Sequence, residues 1–320
     1  MHSFGPLPPL SQALKDIDRV FGLTRVLKMG SETTIDRYYA AAAHGYHWVH
    51  SKDGCMHLAL SAGPEFREVD YLTQVAFVAD LIHETGARRV LELGCGLGFN
   101  MLELAGLCPQ VEIVGTDLLE RHVRKASARL RRHANVSVLV GSHDRLPAEI
   151  GTFDIIFAVE TLCYASDRPA VAASIAQVLA PDGLLVVFDA ERASNFSALS
   201  SDMQLAAMLY EAVTVVEDGF GAADAWGDAY MSAGLMTQRI EDMSHATIPG
   251  LRRLHRYGAR YFSDTAVRAA TAFLPWALKA NAVGALLGPY LIEGDFESGG
   301  GNVGPALHDR LRVCRKQRSR

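Results

Sequence analysis

The chain has 320 residues, 49% of them hydrophobic and 21% charged, with 31 basic and 36 acidic side chains for a formal net charge of -5. That length is enough to bury a full core, and the mild acidity offers no long-range attraction for nucleic acid. The five cysteines, Cys55, Cys95, Cys108, Cys163 and Cys314, form no CxxC pair, so neither a disulfide framework nor a zinc knuckle is expected and a reducing cytoplasm fits best.

Taken in chain order, residues 1–80 carry helical patterns without a strand series and read as an N-terminal helical cap. The opening MHSFGPLPPLSQALKDID has prolines and an early acid where a secretory signal would carry a basic stretch and an apolar run. From Arg88 onward short apolar runs alternate with helical patterns, the mark of a parallel sheet with crossover helices. RRVLELG reads as the first strand, FNMLELAGL as a helix and VEIVGTD (residues 111–117) as the second strand, with Asp117 placed to cap the helix that follows. VSVLVG is a third strand and FDIIFAV (residues 153–159) a fourth. The next helix has Asp167 as cap and Pro169 in its first turn. A turn at residues 181–183 then leads into LLVVFDA, the fifth strand.

A long helix around residues 203–216, a sixth strand in LMTQRIED and a last strand in HDRLRVCRK complete the series. About sixty residues part those two strands, too many for a plain loop in a compact domain, so residues 243–303 read as a helical cap insertion. The expected organisation is therefore a core over 81–242, interrupted by that insertion and completed by a strand and tail over 304–320. The most apolar stretch, residues 266–292, is broken by Arg268, Pro275, Lys279 and Pro289. It reads as a buried helical pair, with a membrane-touching or substrate-enclosing surface as the alternative, and not as a membrane span. ESGGGNVG reads as a hinge before the last strand.

The segment VLELGCGLGFN sets Gly94, Gly96 and Gly98 two apart behind Glu92. A dinucleotide fingerprint would place its third glycine where Phe99 stands. Glycines at these positions let a backbone approach a ligand closely, and the acid favours a cationic group such as an ammonium. About twenty residues on, Asp117 ends the second strand, where a carboxylate can accept from both ribose hydroxyls; alone it could equally be a helix cap.

With LELGCGLG, GTD, GSHDRLP, FDIIFAVETLCYASD and LAPDGLLVVFDA in that order, residues 74–242 resemble the class I S-adenosylmethionine-dependent methyltransferases. The resemblance implies an α/β fold, a doubly wound seven-stranded Rossmann-like sheet with a mostly helical cap, and S-adenosyl-L-methionine as cofactor. It also implies cofactor contacts from Glu92, Gly94, Gly96, Gly98, Asp117, Leu118, Ser142 and His143. Family members commonly carry Asp where Ser142 stands, so the adenine contact is expected to be weaker here or made through backbone.

The segment VETLCYAS lacks the Asn or Asp, paired prolines and aromatic of base-methylating enzymes, so a small-molecule acceptor is expected and a nucleic acid is not. Residues 37–60 and 241–249 resemble the segments that cover the active site in sterol, tocopherol and terpene-diphosphate C-methyltransferases, which implies a hydrophobic, isoprenoid-type acceptor. O- or N-methylation of a lipophilic metabolite is the alternative, and a silent cofactor-binding protein is a third reading. For C-methylation of an alkene, Glu160 past the fourth strand is the candidate base, with Tyr164, Tyr39, His57 and His245 as further candidates. Tyr38, Tyr46 and Trp48 would offer π-faces to a cation or pack the cap on the core. Arg252, Arg256 and Arg260 recur four apart on a helix and would hold a diphosphate, meet an anionic membrane or form a solvated face. No residue cluster has metal-ligand spacing. Homo-oligomerisation stays open.

Overall fold

The computed structural model describes residues 6–216, 219–294 and 304–317. Four helices open the chain: α1 (Leu10–Phe21), α2 (Leu23–Leu27), α3 (Met29–Glu32) and α4 (Ile35–Gly45), the last passing into a π-turn over Tyr46–His50. After α5 (Thr73–Thr85) the alternating series runs β1 (Arg89–Leu93), α6 (Phe99–Leu107), β2 (Glu112–Asp117), α7 (Glu120–Leu130), β3 (Val136–Val140) and β4 (Phe153–Val159). It continues with α8 (Arg168–Val178), β5 (Leu179–Arg192), α9 (Ser201–Thr214), α10 (Ala223–Ser232) and β6 (Leu235–Asp242). Three helices follow, α11 (Ser244–Ser263), α12 (Thr265–Ala270) and α13 (Trp276–Glu293), before β7 (Leu307–Lys316).

The seven strands form one sheet in the order β3-β2-β1-β4-β5-β7-β6. The first five are parallel, and β7 lies antiparallel between β5 and β6. The central strands are buried on both faces, which is why they read as unbroken apolar runs. The chain reverses its direction of winding between β1 and β4. Ligands of such sheets collect outside the strand ends at that switch. Here the positions in question are Gly94 after β1 and Glu160 after β4.

Three local expectations change. The turn expected at residues 181–183 is absorbed into β5 as an irregularity: the register slips between Phe153 and Ile155 of the partner strand, and Asp182 takes a φ of 63°. Asp117 does not cap α7, whose N-cap is Leu119; its carboxylate instead accepts from backbone amides on both sides, as described below. The apolar stretch 266–292 splits unequally, because α13 buries nine residues whereas α12 buries none. The hinge expected at ESGGGNVG falls largely outside the described residues.

Apolar contacts join the N-terminal helices to the later ones. Leu10, Ile17 and Tyr38 share one cluster with Met203, Leu209, Val283 and Leu287. The helical layer above the sheet is thus built from both ends of the chain. Helix α5, which crosses residue 80, belongs instead with the sheet: Val75, Val78 and Ile82 pack with Val90, Ile113 and Ile155. Among the described residues no helix is long and apolar enough to cross a membrane.

Candidate active site

Two cavities meet where β1 and β4 end. The smaller follows the glycine loop and is lined by Gly94, Gly96, Asp117, Leu118 and His143 among others. Gly94, Gly96 and Gly98 all have positive φ. A Cβ at Gly94 would collide with the hydroxyl oxygen of Thr161, so the loop needs glycine there to pass under the β4 turn. Asp117 holds the loop in shape: Oδ2 accepts from the Gly96 amide at 2.9 Å and Oδ1 from the Leu119 amide at 2.9 Å, with His122 Nδ1 at 3.3 Å. This cradle of bare backbone beside a fixed carboxylate fits the methionine and ribose parts of the implied cofactor.

Glu92 is 2% exposed and lines neither cavity. Its Oε1 accepts from Asn100 Nδ2 at 2.8 Å, its Oε2 is buried with no hydrogen-bond partner, and burial pushes its carboxyl up to about 8. Asn100 turns its carbonyl oxygen toward His57 Nε2 at 3.2 Å, and His57 Nδ1 lies 3.0 Å from the Leu58 carbonyl. His57 borders the small cavity, yet both its ring nitrogens face protein oxygens, to one of which the neutral imidazole donates. Of the two residues expected beside an adenine, His143 lines the cavity together with Gly141 whereas Ser142 does not, and burial lowers the pKa of His143.

The larger cavity, about 600 Å³, lies between the sheet and helices α4, α9, α11 and α13. Its volume suits a ligand of drug to sterol size. Tyr38, Tyr39, Tyr46, Trp48 and Tyr164 all line it, so the structure brings that expected set together. Tyr38 donates to Asn281 Oδ1 at 3.1 Å, and the Tyr39 and Tyr164 hydroxyls lie 3.1 Å apart. Burial raises the pKa of all four tyrosines, so their hydroxyls stay protonated.

Glu160 borders both cavities. It takes a φ of 47°, a region costly for a non-glycine residue and a recurrent feature of functional sites. Its Oε1 accepts from the Leu58 amide at 2.7 Å, so the segment behind the N-terminal helices fixes the carboxyl. Burial first, then the nearby Asp309, raises its pKa well above the ordinary carboxylate range. Asp189 and Asp309 line the same cavity and are themselves raised, to about 7 and about 6, in each case chiefly by burial. Asp189 accepts from the Cys163 and Ala190 amides, both at 3.0 Å.

Sequence reasoning missed these two acids and Tyr210 on the same wall. Asp189 was within reach, since it ends the parallel run LLVVFDA at the ligand-binding edge. Asp309 was not, because only the antiparallel return of β7 brings it there.

Other expected residues lie elsewhere. His245 is exposed in the first turn of α11 and lines neither cavity. Arg252 forms a two-pronged pair with Glu293, at 2.6 Å for each contact, clasping α11 to α13. Arg256 and Arg260 are exposed, and none of the three lines the large cavity, whose α11 wall is made by Leu251, Leu254, Tyr257 and Tyr261. Among the described residues no group of three or more His, Cys, Asp or Glu side chains is placed to hold a metal ion.

Residues 90–183 match a family model described as a methyltransferase domain. The chain is 25% identical over 179 residues to squalene methyltransferase 1 of Botryococcus braunii, covering 55% of this chain and 44% of that protein. It is 27% identical over 159 residues to 24-methylenesterol C-methyltransferase 2 of Oryza sativa subsp. japonica, covering 48% and 43%. A third relative, malonyl-[acyl-carrier protein] O-methyltransferase of Legionella pneumophila, is 31% identical over 99 residues, covering 31% and 35%. The matches thus span less than half the length of these curated relatives. Among solved structures, a geranyl diphosphate methyltransferase in complex with GPP and sinefungin superposes with a TM-score of 0.59 at 15% identity, covering 92% of this chain and 99% of that one. The [4+2]-cyclase SpnF does so at 0.62 and 17%, covering 99% and 100%. At such identities the two structures establish a shared fold and nothing finer.

Proposed function

The chain carries the core of a class I S-adenosylmethionine-dependent methyltransferase, with that molecule as its cofactor, and from this premise we propose that it methylates a neutral, apolar, unsaturated acceptor at carbon. The acceptor class is isoprenoid or sterol-like, in keeping with the names of two relatives. The observation that carries this reading is Glu160, a backbone-strained carboxyl at the junction of a glycine-loop cradle and a large aromatic cavity.

The cofactor supplies a methyl group on a sulfonium, and the chain's part is to align an acceptor with it and manage charge in a dry space. When bound, the sulfonium would give its methyl to the alkene's π electrons and keep the electrons of its carbon–sulfur bond, so the charge lost from sulfur would appear on the acceptor. The positive charge passes to the neighbouring acceptor carbon. Rings of Tyr38, Tyr39, Tyr46 and Tyr164 line the cavity where that charge develops, and the Glu160 carboxylate takes the adjacent proton so that the double bond re-forms. A positive charge entering beside Glu160 favours its ionised form, against the burial that raises its pKa.

The wall argues against an anionic acceptor. Among the described residues its acids are Glu160, Asp189 and Asp309, no arginine lines it, and the ammonium of its one lysine, Lys279, is engaged by the Ala272 carbonyl at 3.1 Å. A diphosphate would meet three carboxyl groups with no fork of donors to hold it. A second reading, O-methylation of a lipophilic alcohol, is favoured by the same Glu160 acting as base toward a hydroxyl. A mass-spectrometric screen separates the cases: neutral polyenes and sterols should gain one methylene, and their diphosphate counterparts should not. Exclusive activity on diphosphates overturns the neutral-acceptor reading.

A further inference from the structure

We propose that the mouth of the large cavity docks onto the surface of an anionic lipid bilayer, from which the acceptor is drawn. The inference deepens the reading above by naming the phase that delivers the acceptor, and its geometry stands independently of that reading.

Trp48 and Tyr257 belong to the cavity wall and yet are 72% and 51% exposed, which identifies the mouth. The α12 tip borders the same cavity. Thr271, Leu274 and Lys279 also belong to the wall, and Phe273 between them is 83% exposed, a large ring held out into solvent. Ala266, Ala269, Ala270, Ala272 and Pro275 are exposed around it, and α12 buries no residue at all. The tip is nonetheless well formed: Asp264 Oδ1 accepts from the Ala266 and Val267 amides, and Lys279 Nζ ties the turn through the Ala272 carbonyl. An ordered, apolar, aromatic-tipped projection around the opening of an apolar cavity suits the headgroup boundary of a membrane, where Trp and Phe lie partly buried.

Charge selects the kind of surface. Arg256 and Arg260 are exposed on α11, and Arg260 stands one turn from Tyr257, at a spacing that sets both on the same side of the helix. Lys279 is engaged within the tip by the Ala272 carbonyl, and Asp264 caps α12. The carboxyls of the wall, Asp189 and Asp309, are buried, as expected for the inner end. A cationic flank beside inserted rings is the pattern that prefers anionic lipid. The arginines are thus read as contacts to lipid phosphate and not to the acceptor.

The test uses the full chain with vesicles of phosphatidylcholine alone or mixed with phosphatidylglycerol, in a flotation assay without cofactor or acceptor. Its outcome is therefore independent of whether the methyl-transfer reading holds. The protein should float with the mixed vesicles and bind the neutral ones more weakly. Phe273→Ser with Trp48→Ser, and separately Arg256→Glu with Arg260→Glu, should each weaken binding to mixed vesicles by about tenfold or more. Unchanged affinity for S-adenosylhomocysteine checks that each variant is folded. Absence of the wild type from both floating fractions overturns the proposal, as does equal flotation of the variants. So does a wild-type dimer in solution that the Phe273 and Trp48 substitutions dissociate, since the rim would then be an interface between copies.

Discussion

The Tyr39 hydroxyl lies 3.1 Å from that of Tyr164, and Tyr164 in turn donates to the Thr214 carbonyl at 3.2 Å. One short chain of hydrogen bonds thereby links α4 of the N-terminal layer, the turn after β4 and the end of α9. Both rings border both cavities, at their junction. Tyr39→Phe keeps the ring and removes one bond, and should cost about 1 kcal/mol of stability with turnover reduced only a few-fold. Tyr39→Ala removes the π-face and opens the partition, and turnover should fall by about a hundredfold or more. Thermal melts and steady-state kinetics check the pair. Equal kinetics for the two variants would assign Tyr39 to packing alone.

Asp117 shapes the loop through the Gly96 amide and lines the smaller cavity, where we propose that its carboxylate meets the cofactor's ribose. Asp117→Ala should weaken cofactor affinity by about 1–3 kcal/mol, the cost of unpaired hydroxyls and a slackened loop. Calorimetric titration with S-adenosylhomocysteine measures this directly, and unchanged affinity removes Asp117 from the cofactor site.

Arg252→Gln should act on stability and not on the acceptor. The substitution strands Glu293, whose partner it is across α11 and α13, and both side chains are largely buried. A loss of about 1–3 kcal/mol follows, with the Michaelis constant for a neutral acceptor unchanged. Denaturant titration together with kinetics tests it; a raised Michaelis constant at unchanged stability would restore the arginine to acceptor binding.

The core was legible because its signals are local. Unbroken apolar runs marked the buried strands, Asp167 and Pro169 marked the start of α8, and the glycines with Asp117 marked the cradle. Helical spacing placed Leu251, Leu254 and Tyr261 toward the domain and Arg256 and Arg260 on the exposed side, but did not give the partner of Arg252. That partner is Glu293, forty-one residues away on α13. Asp309 was hidden for a related reason, since its position depends on an antiparallel strand entering the sheet from the far side of an insertion. The expectation for Glu92 went astray through burial: the acid lies behind the loop with a raised pKa, bonded to Asn100 rather than lining the cavity.

Glu160 gives a pH signature. Its pKa in the folded enzyme lies well above the ordinary carboxylate range, so in the free enzyme the acid form dominates below that value and the carboxylate above it. A base must be ionised, so kcat/KM should climb with pH past the ordinary carboxylate range before levelling. Glu160→Gln should cut turnover by about a hundredfold or more, flatten that rise and leave cofactor affinity intact. A profile already level in mildly acid solution argues against Glu160 as the titrating base.

The central claim is carbon methylation of a neutral acceptor, and the most direct measurement follows a deuterated methyl group from the cofactor into the product. With a neutral polyene or sterol acceptor, the label should appear on carbon, intact, with loss of one acceptor hydrogen from the neighbouring position. Label found on oxygen or nitrogen, or no transfer to any neutral acceptor while a diphosphate accepts it, would contradict the account.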